Sequence, residues 1–445
     1  MASNNAGSTS IRGNSVPSGG ATDTVSTVNP QTGQPLTPDQ ATCLSVSKQI
    51  SKGGPPNVTL LNPMALSAGL DTSQQIRQTG LGESIDLPFS KQSLSFVNTS
   101  ASPVTLFLSP EFPFSLIAKI GVQFNGQTNI IQMSGYEALA MMAKRSRSGL
   151  FVKPAGTARY NPFQARLSST RASLTAGANV TLNAGDGLTG YTSITIAGSS
   201  TGVLYFDMNL RINFTMRKDL LIGLLPLQNN SVNAQLTLTC PTLVGTTPAS
   251  PLWISVIPST LTASISAVCS PEYNFFANNA QIASYTKYMS AFSYQQITVP
   301  QQICQSTGSE ALQYTLPNNY LLVSMLATIR DGNGVLLNVN DPAYGINFPY
   351  INYNNTNLVD RRSIASRLAV QSDYYGAVPY GPGQVLYDGS SIAHSPNGMD
   401  DASWLNMYYA NNPQYRMDVQ ASVVTPLSYS MLREQIVPAQ VTVIS

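Results

Sequence analysis

The chain of 445 residues is longer than one hydrophobic core usually serves, so two domains are expected. Only 10% of its residues are charged, and 23 basic residues nearly balance 21 acidic ones, whereas an ordinary soluble domain is roughly 25% charged. This balance excludes a polybasic nucleic-acid-binding protein, so no specific nucleic acid is expected as a partner. It favours a protein that packs among copies of itself over an ordinary secreted β-protein.

The composition of residues 1–84 predicts that this segment forms an extended N-terminal arm. No aromatic residue precedes Phe89, and the segment is rich in Ser, Gly, Thr, Asn and Pro, with at most a short helical piece around Pro38–Ile50. Such a composition buries too little apolar surface to build a core. We expect this arm to become ordered only against neighbouring molecules.

A first β-unit follows the arm. Its clearest strand runs from Leu204 to Met216, where apolar and polar residues alternate almost without error. Successive side chains of a strand point to opposite faces, so this strand lies on a sheet that covers a core on one side. A hairpin is predicted at Asn125-Gly126, where both residues tolerate positive φ. A helix is predicted over Tyr136–Lys144, with Ser134 as its cap.

The second half of the chain repeats this order of signals. A strand at Tyr320–Ile329 leads into the turn Asp331–Gly334, a helix fits Asp360–Gln371, and late strands fit Tyr415–Val424 and Ala439–Ile444. Matched features lie about 200 to 225 residues apart, a spread that loop insertions would produce. We therefore predict an all-β chain of two tandem eight-stranded antiparallel jelly rolls, each with a short helix, over residues 85–245 and 246–445.

Two such units behind an arm resemble the double jelly-roll major capsid proteins of tectivirus-type phages, which are tailless icosahedral viruses with an internal membrane. The resemblance covers most of residues 85–445 and is one of order and spacing. It is carried by Phe114–Gly126 with the helix that follows, by Val203–Val232, by Tyr320–Gly334 and by the tail Tyr429–Ser445.

The resemblance implies a homotrimer that forms a pseudo-hexagonal capsomer and tiles an icosahedral shell over an internal membrane. Three copies of a two-unit chain offer six similar sides, which explains this shape. The implied partners are neighbouring capsomers, minor capsid or penton proteins and internal membrane lipid, and no cofactor is implied. The implied location is the virion, after synthesis in the host cytoplasm.

The densest basic cluster is a candidate lipid- or neighbour-facing surface. It consists of Lys144, Arg145, Arg147, Lys153 and Arg159. Anionic lipid or an acidic neighbour would complement its charge. The alternative is a solvated helix end that the helix dipole favours.

Tyrosine is frequent, with 21 residues in the chain. A tyrosine ring supplies rigid contact area and one hydrogen bond, which suits subunit interfaces. The candidate interface aromatics are Tyr374, Tyr375, Tyr380, Tyr408 and Tyr409. A carbohydrate-binding surface would use the same residues, so the alternative function is a jelly-roll receptor- or glycan-binding spike protein.

No catalytic or metal-binding pattern supports an enzyme. His394 is the only histidine, and no serine lies in a nucleophile-elbow motif. The four cysteines lack CxxC spacing and are expected to be free, buried thiols. Met1–Pro30 does not read as a signal peptide, and no apolar run reaches the roughly 18 residues of a membrane span. We therefore expect a soluble, non-enzymatic protein that folds in a reducing cytoplasm.

Overall fold

The structure is a computed structural model of the chain. It describes residues 56–77, 80–124, 126, 128–146, 151–152, 166–167, 172–183, 192–214, 223–227, 233–244, 252–254, 257–276, 292–332, 334–337, 346–354, 356–358, 381, 383–388, 405–419 and 425–438. The predicted helix Asp360–Gln371, the predicted strand Ala439–Ile444 and residues 1–55 of the predicted arm lie outside the described residues.

Strands dominate the described part of the chain. Numbered in chain order, they are β1 Asn57–Leu60, β2 Met64–Leu66, β3 Asp71–Ile76, β4 Gly80–Asn98, β5 Val104–Phe107, β6 Lys119–Phe124, β7 Thr128–Met133, β8 Phe151–Val152, β9 Arg166–Leu167, β10 Ala172–Ala176, β11 Val180–Asn183, β12 Ser193–Ile196, β13 Ser200–Asn213, β14 Leu225–Leu227, β15 Ala234–Thr239, β16 Leu261–Cys269, β17 Glu272–Phe276, β18 Phe292–Cys304, β19 Gly308–Thr315, β20 Leu321–Arg330, β21 Ile346–Tyr353, β22 Thr356–Leu358, β23 Gln384–Asp388, β24 Leu405–Asn406, β25 Gln414–Val419 and β26 Leu427–Pro438. Helix α1 spans Gly135–Ser146, and short 3₁₀ helices lie at Phe114–Leu116 and Met407–Tyr409.

The first sandwich packs an eight-stranded sheet against part of a nine-stranded one. In the eight-stranded sheet, β4 pairs with β13 on one side and with β16 and β17 on the other. Opposite it, β3, β15, β6 and β7 lie side by side, antiparallel throughout. Apolar residues from both sheets and from α1 form one core, which contains Phe96, Phe206 and Trp253.

The second sandwich uses the rest of the nine-stranded sheet. Strands β18, β26, β20 and β23 are neighbours in it, and the sheet of β19, β25, β21 and β22 faces them. A separate core fills this sandwich, with Met325, Met417 and Met431 among its buried residues. A short parallel pairing of β7 with β18, at Ile131 and Gln296, makes the nine-stranded sheet continuous across both sandwiches.

The alternating strand predicted over Leu204–Met216 is confirmed as β13, which begins earlier, at Ser200, and ends at Asn213; Thr215 and Met216 lie outside the described residues. Strand β13 alternates between buried and less buried residues along its whole length, with Leu204, Phe206 and Leu210 on the core side. The hairpin at Gly126 is confirmed between β6 and β7, and this glycine has a φ of 69°. Helix α1 is confirmed and extends slightly beyond both predicted ends.

Two segments lie differently from their predicted places. Within the predicted arm, β1, β2 and β3 pair with β17, β16 and β15, and Met64, Leu66 and Ile76 are buried in the first core. The chain is therefore ordered by its own sheets from residue 57. The lack of aromatic residues did not prevent these strands from forming. A strand that joins an existing sheet needs only backbone pairing and a few aliphatic side chains.

The strands β16 and β17 fall in the second predicted domain, residues 246–445, but both pair with β4. Tyr273 and Phe275 lie in the first core, together with Leu252 and Trp253. These residues complete the first sandwich because they cover one side of β4, whose other side is covered by β13. Of the four cysteines predicted to be free and buried, Cys240, Cys269 and Cys304 are so, and Cys43 lies outside the described residues.

The alternation of β13 predicts a large difference between neighbouring substitutions. Phe206 is 1% exposed and packs edge-on against Phe112 with ring centroids 6.4 Å apart, whereas Tyr205 is 44% exposed. We expect Phe206→Ala to lower the free energy of unfolding by about 3–5 kcal/mol, because it leaves a cavity in the core. Tyr205→Ala is the matched control and should cost less than about 1 kcal/mol. Equal losses in denaturant unfolding would contradict the assigned faces.

Candidate functional site at the junction of the two sandwiches

Helix α1 brings charged side chains to the junction between the sandwiches. Ser134 caps its first turn: the Glu137 backbone N–H donates to Ser134 Oγ over 3.2 Å, and the Ser134 N–H donates to Glu137 Oε2 over 2.8 Å. This reciprocal capping box fixes where the helix begins. Its last turn carries Lys144 and Arg145, where the helix dipole favours cations.

Glu434 of β26 lies opposite that last turn. Lys144 Nζ donates to Glu434 Oε2 and, over 2.8 Å, to Ser324 Oγ. Ser324 Oγ in turn donates to the same carboxylate oxygen over 2.6 Å. The other oxygen, Oε1, accepts from the Tyr294 hydroxyl and lies 3.6 Å from a guanidinium nitrogen of Arg145. Both carboxylate oxygens are therefore satisfied by groups from both sandwiches.

This cluster is buried. The side chain of Glu434 is 3% exposed, that of Lys144 10% and that of Arg145 17%. Burial by itself would raise the pKa of Glu434, but Lys144 and Arg145 outweigh it and lower the pKa to about 2. Burial raises the pKa of Tyr294 well above its usual value, so its hydroxyl keeps the proton that it donates to Glu434.

Two further glutamates of the first sandwich contact the second one. Glu137 accepts hydrogen bonds from Thr298 over 2.8 Å and from Ser430 over 3.2 Å. Burial raises the pKa of Glu137 in spite of these bonds. Glu111, which is 3% exposed, forms an ion pair with Arg330 at 2.5 Å. Burial raises the pKa of Glu111 as well, and Arg330 only partly counters this.

Apolar packing and one amide complete the junction. Leu326, Leu386 and Leu432 belong to the second sandwich but are buried in the first core cluster. Gln296 Nε2 donates to the backbone carbonyl of Asn213 over 2.8 Å. The contacts of this arrangement join the two sandwiches to each other. Among the described residues, no group of acidic, histidine and cysteine side chains could hold a metal, and no helix is long and apolar enough to span a membrane.

The structure changes the interpretation of the predicted basic cluster. Lys144 and Arg145 point to Glu434 of the same chain and are mostly buried, so their charges are used within the junction. The reason is that β26 places a carboxylate opposite the last turn of α1. Arg147, Lys153 and Arg159 lie outside the residues whose side chains the structure describes.

The structure describes only two of the five candidate interface tyrosines. Tyr374, Tyr375 and Tyr380 lie outside the described residues. Tyr408 and Tyr409 lie in a 3₁₀ helix, with 42% and 78% of their surface exposed. Their part in an interface remains a prediction.

Sequence reasoning missed the carboxylates of the junction. One signal was present: Glu434 occupies an alternating position of a strand, and its two nearest neighbours on that face, Leu432 and Ile436, are apolar. A charge at such a position needs a buried partner. The sequence does not reveal that the partner comes from a helix 290 residues away.

No family model and no curated protein sequence matches the chain. Solved structures do match. The STIV MCP has a TM-score of 0.53 at 14% sequence identity, over 88% of this chain and 100% of that one. A chain of Sulfolobus Turreted Icosahedral Virus has a TM-score of 0.54 at 13% identity, over 86% of this chain and 91% of that one. At such identities the likeness concerns the fold: this chain has the double jelly-roll fold of viral major capsid proteins, as the sequence predicts.

The buried cluster predicts a large cost for losing its carboxylate. Glu434→Gln leaves Lys144 and Arg145 without a buried counter-ion, which should lower the free energy of unfolding by about 3–5 kcal/mol. The matched control is Glu310→Gln, because Glu310 pairs with Arg416 at 2.7 Å but is 30% exposed. That control should cost no more than about 1 kcal/mol. Denaturant unfolding of both variants at pH 7 checks this, and a loss at Glu434 no larger than the control would contradict it.

The pKa shifts predict opposite pH dependences for two glutamates. Because the pKa of Glu434 is lowered, the ionised carboxylate stabilises the folded protein fully above about pH 4.5. This stabilisation disappears as the pH falls towards 2. The advantage of wild type over Glu434→Gln should therefore shrink in that range. Glu137 has a raised pKa, so wild type should lose stability relative to Glu137→Gln as the pH rises through that pKa. Unfolding titrations of both variants measure the two slopes, and slopes of equal sign would refute the assignment.

Proposed function

We propose that this chain is a viral major capsid protein, which trimerises into pseudo-hexagonal capsomers and tiles an icosahedral shell. One observation carries the proposal: the match covers 88% of this chain and the whole of the STIV MCP, so the likeness includes both sandwiches. A single jelly roll occurs in many kinds of protein and would not support this function.

The junction fits the mechanical demand of a shell. A capsomer with six similar sides requires each chain to present its two sandwiches in one fixed relation, since a hinge would vary the angle between adjacent sides. The continuous nine-stranded sheet, the buried ion pairs and the leucines of the first core cluster all oppose such a hinge.

The composition fits repeated contact between copies. With 10% charged residues, most surfaces of the chain can be buried without leaving an unpaired charge. We propose that Tyr374, Tyr375, Tyr380, Tyr408 and Tyr409 contribute to contacts between subunits or capsomers. In the same proposal, Arg147, Lys153 and Arg159 face anionic lipid of an internal membrane or a neighbouring protein, and the arm before residue 56 bridges capsomers. The protein acts in the virion, beside minor capsid or penton proteins, and performs no catalysis.

Assembly of the purified chain tests this function. We expect sedimentation velocity at micromolar concentration to show a trimer, and electron microscopy of particles from an expressing culture to show hexagonal units. Deletion of residues 1–55 should leave the trimer intact and prevent shell formation, because the described sheets begin after this segment. A monomer across the micromolar range would contradict the proposal. A glycan array offers the contrasting result, since saturable glycan binding by a monomer would favour the spike function.

A further inference from the structure

Arg433 of β26 places a cation on the inner side of the second sandwich. Successive residues of a strand point to opposite faces, so Arg433 lies on the side of the sheet away from its neighbour Glu434. It is in register with Met325 of β20, which belongs to the second core. Arg433 itself is half-buried, so a solute can reach its guanidinium group from solvent.

The guanidinium group has buried donors that are not used. Its Nε and Nη1 atoms are buried and have no hydrogen-bond acceptor among the residues that the structure describes. Its Cζ atom lies 5.0 Å from the centroid of the Tyr320 ring. Such a ring attracts a cation but does not replace a hydrogen-bond acceptor. A buried charged donor without an acceptor is costly, and native proteins rarely keep one unmatched.

The adjacent carboxylate does not balance this charge. Glu434 points to the junction, where Lys144 donates to its Oε2 and Arg145 lies 3.6 Å from its Oε1. Three cations therefore adjoin one carboxylate on this part of β26. Within the described part of the chain, Arg433 belongs to none of the ion pairs. The balance of charge here calls for an anion.

Two further polar atoms near Arg433 are buried without a described partner. Tyr320 is 1% exposed, and its hydroxyl is one of them. Burial raises the pKa of Tyr320 and Arg433 only partly counters this, so the hydroxyl keeps a proton to donate. The other atom is Oε1 of Gln435, the next residue of β26 on the same face, whose Nε2 donates to Gln295. We call Arg433, Tyr320 and Gln435 the arginine patch.

We propose that the arginine patch binds a small oxyanion of the phosphate class. Anionic oxygens match Arg433 in both charge and hydrogen bonding, whereas a water molecule would satisfy the hydrogen bonds alone. The Tyr320 hydroxyl donates to the same anion. A hydrogenphosphate ion also carries a hydroxyl of its own, which can donate to Gln435 Oε1. The bound anion is the counter-ion of Arg433 and stabilises the second sandwich. This inference concerns a single chain and does not depend on the proposed function.

Titration with inorganic phosphate tests the arginine patch directly. The purified chain, dialysed into phosphate-free MOPS buffer, is titrated in a calorimeter at an ionic strength held constant with sodium chloride. Arg433→Met removes the charge and its N–H groups, so it should weaken phosphate binding on the order of a hundredfold. Tyr320→Phe keeps the ring and removes only the hydroxyl, and should weaken binding about tenfold.

Arg416→Met is the matched control. The guanidinium group of Arg416 already pairs with Glu310 at 2.7 Å, so this variant should bind phosphate like wild type. Equal weakening by Arg416→Met would show that phosphate responds to positive charge in general, and the inference would be wrong. It is equally overturned if wild type binds no phosphate, or if either Arg433→Met or Tyr320→Phe leaves binding unchanged.

Thermal unfolding separates anion binding from an ordinary structural role of Arg433. In phosphate-free buffer, Arg433→Met should be at least as stable as wild type, because it removes an unbalanced cation from buried surroundings. Millimolar phosphate should then raise the unfolding temperature of wild type by mass action and leave that of Arg433→Met unchanged. If Arg433→Met is less stable than wild type without phosphate, or does not fold, the cation already has its counter-ion within the chain and the inference fails. The trimer is not part of either measurement, so the capsid function is tested separately.

Discussion

A carboxylate buried between two sandwiches holds them together only while both supply its partners. Removing Glu434 from water is costly, and the cost is offset because Lys144 and Arg145 come from one sandwich while Ser324 and Tyr294 come from the other. Separation of the sandwiches would remove Lys144 and Arg145 from Glu434. The two cations would then contact water alone, and the carboxylate would keep only Ser324 and Tyr294 of its present partners. The interaction therefore favours the relative position of the sandwiches in which all four partners reach the carboxylate.

The rest of the junction depends on that position. The parallel pairing of β7 with β18 spans only two residue pairs, too few to fix an angle between sandwiches by itself. Glu137 reaches Thr298 and Ser430 only when the first turn of α1 is held against β18 and β26. The capping box and the last turn of α1 thus serve the same end: one helix carries a contact to the second sandwich at each terminus.

The sequence was sufficient to predict those elements that depend only on neighbouring residues. The alternation of β13, the glycine turns and the capped helix each follow from a few neighbouring residues, and all appear in the structure. The ion pair of Lys144 with Glu434, and the pairing of strands β1, β2 and β3 with β17, β16 and β15, depend on partners far along the chain. The periodicity of the sequence does not identify such partners. The same applies to β16 and β17: nothing in their sequence distinguishes an edge of the first sandwich from the start of the second.

A charge inside the junction can be balanced because its counter-ions belong to the same chain. Glu434 lies between Leu432 and Ile436 on one face of β26, and Lys144 and Arg145 are present whenever the two sandwiches pack together. A contact between separate molecules has no such counter-ion of its own chain, so each charge that it buries must be matched by the other molecule. A chain in which only 10% of the residues are charged has few charges that such a contact would need to match.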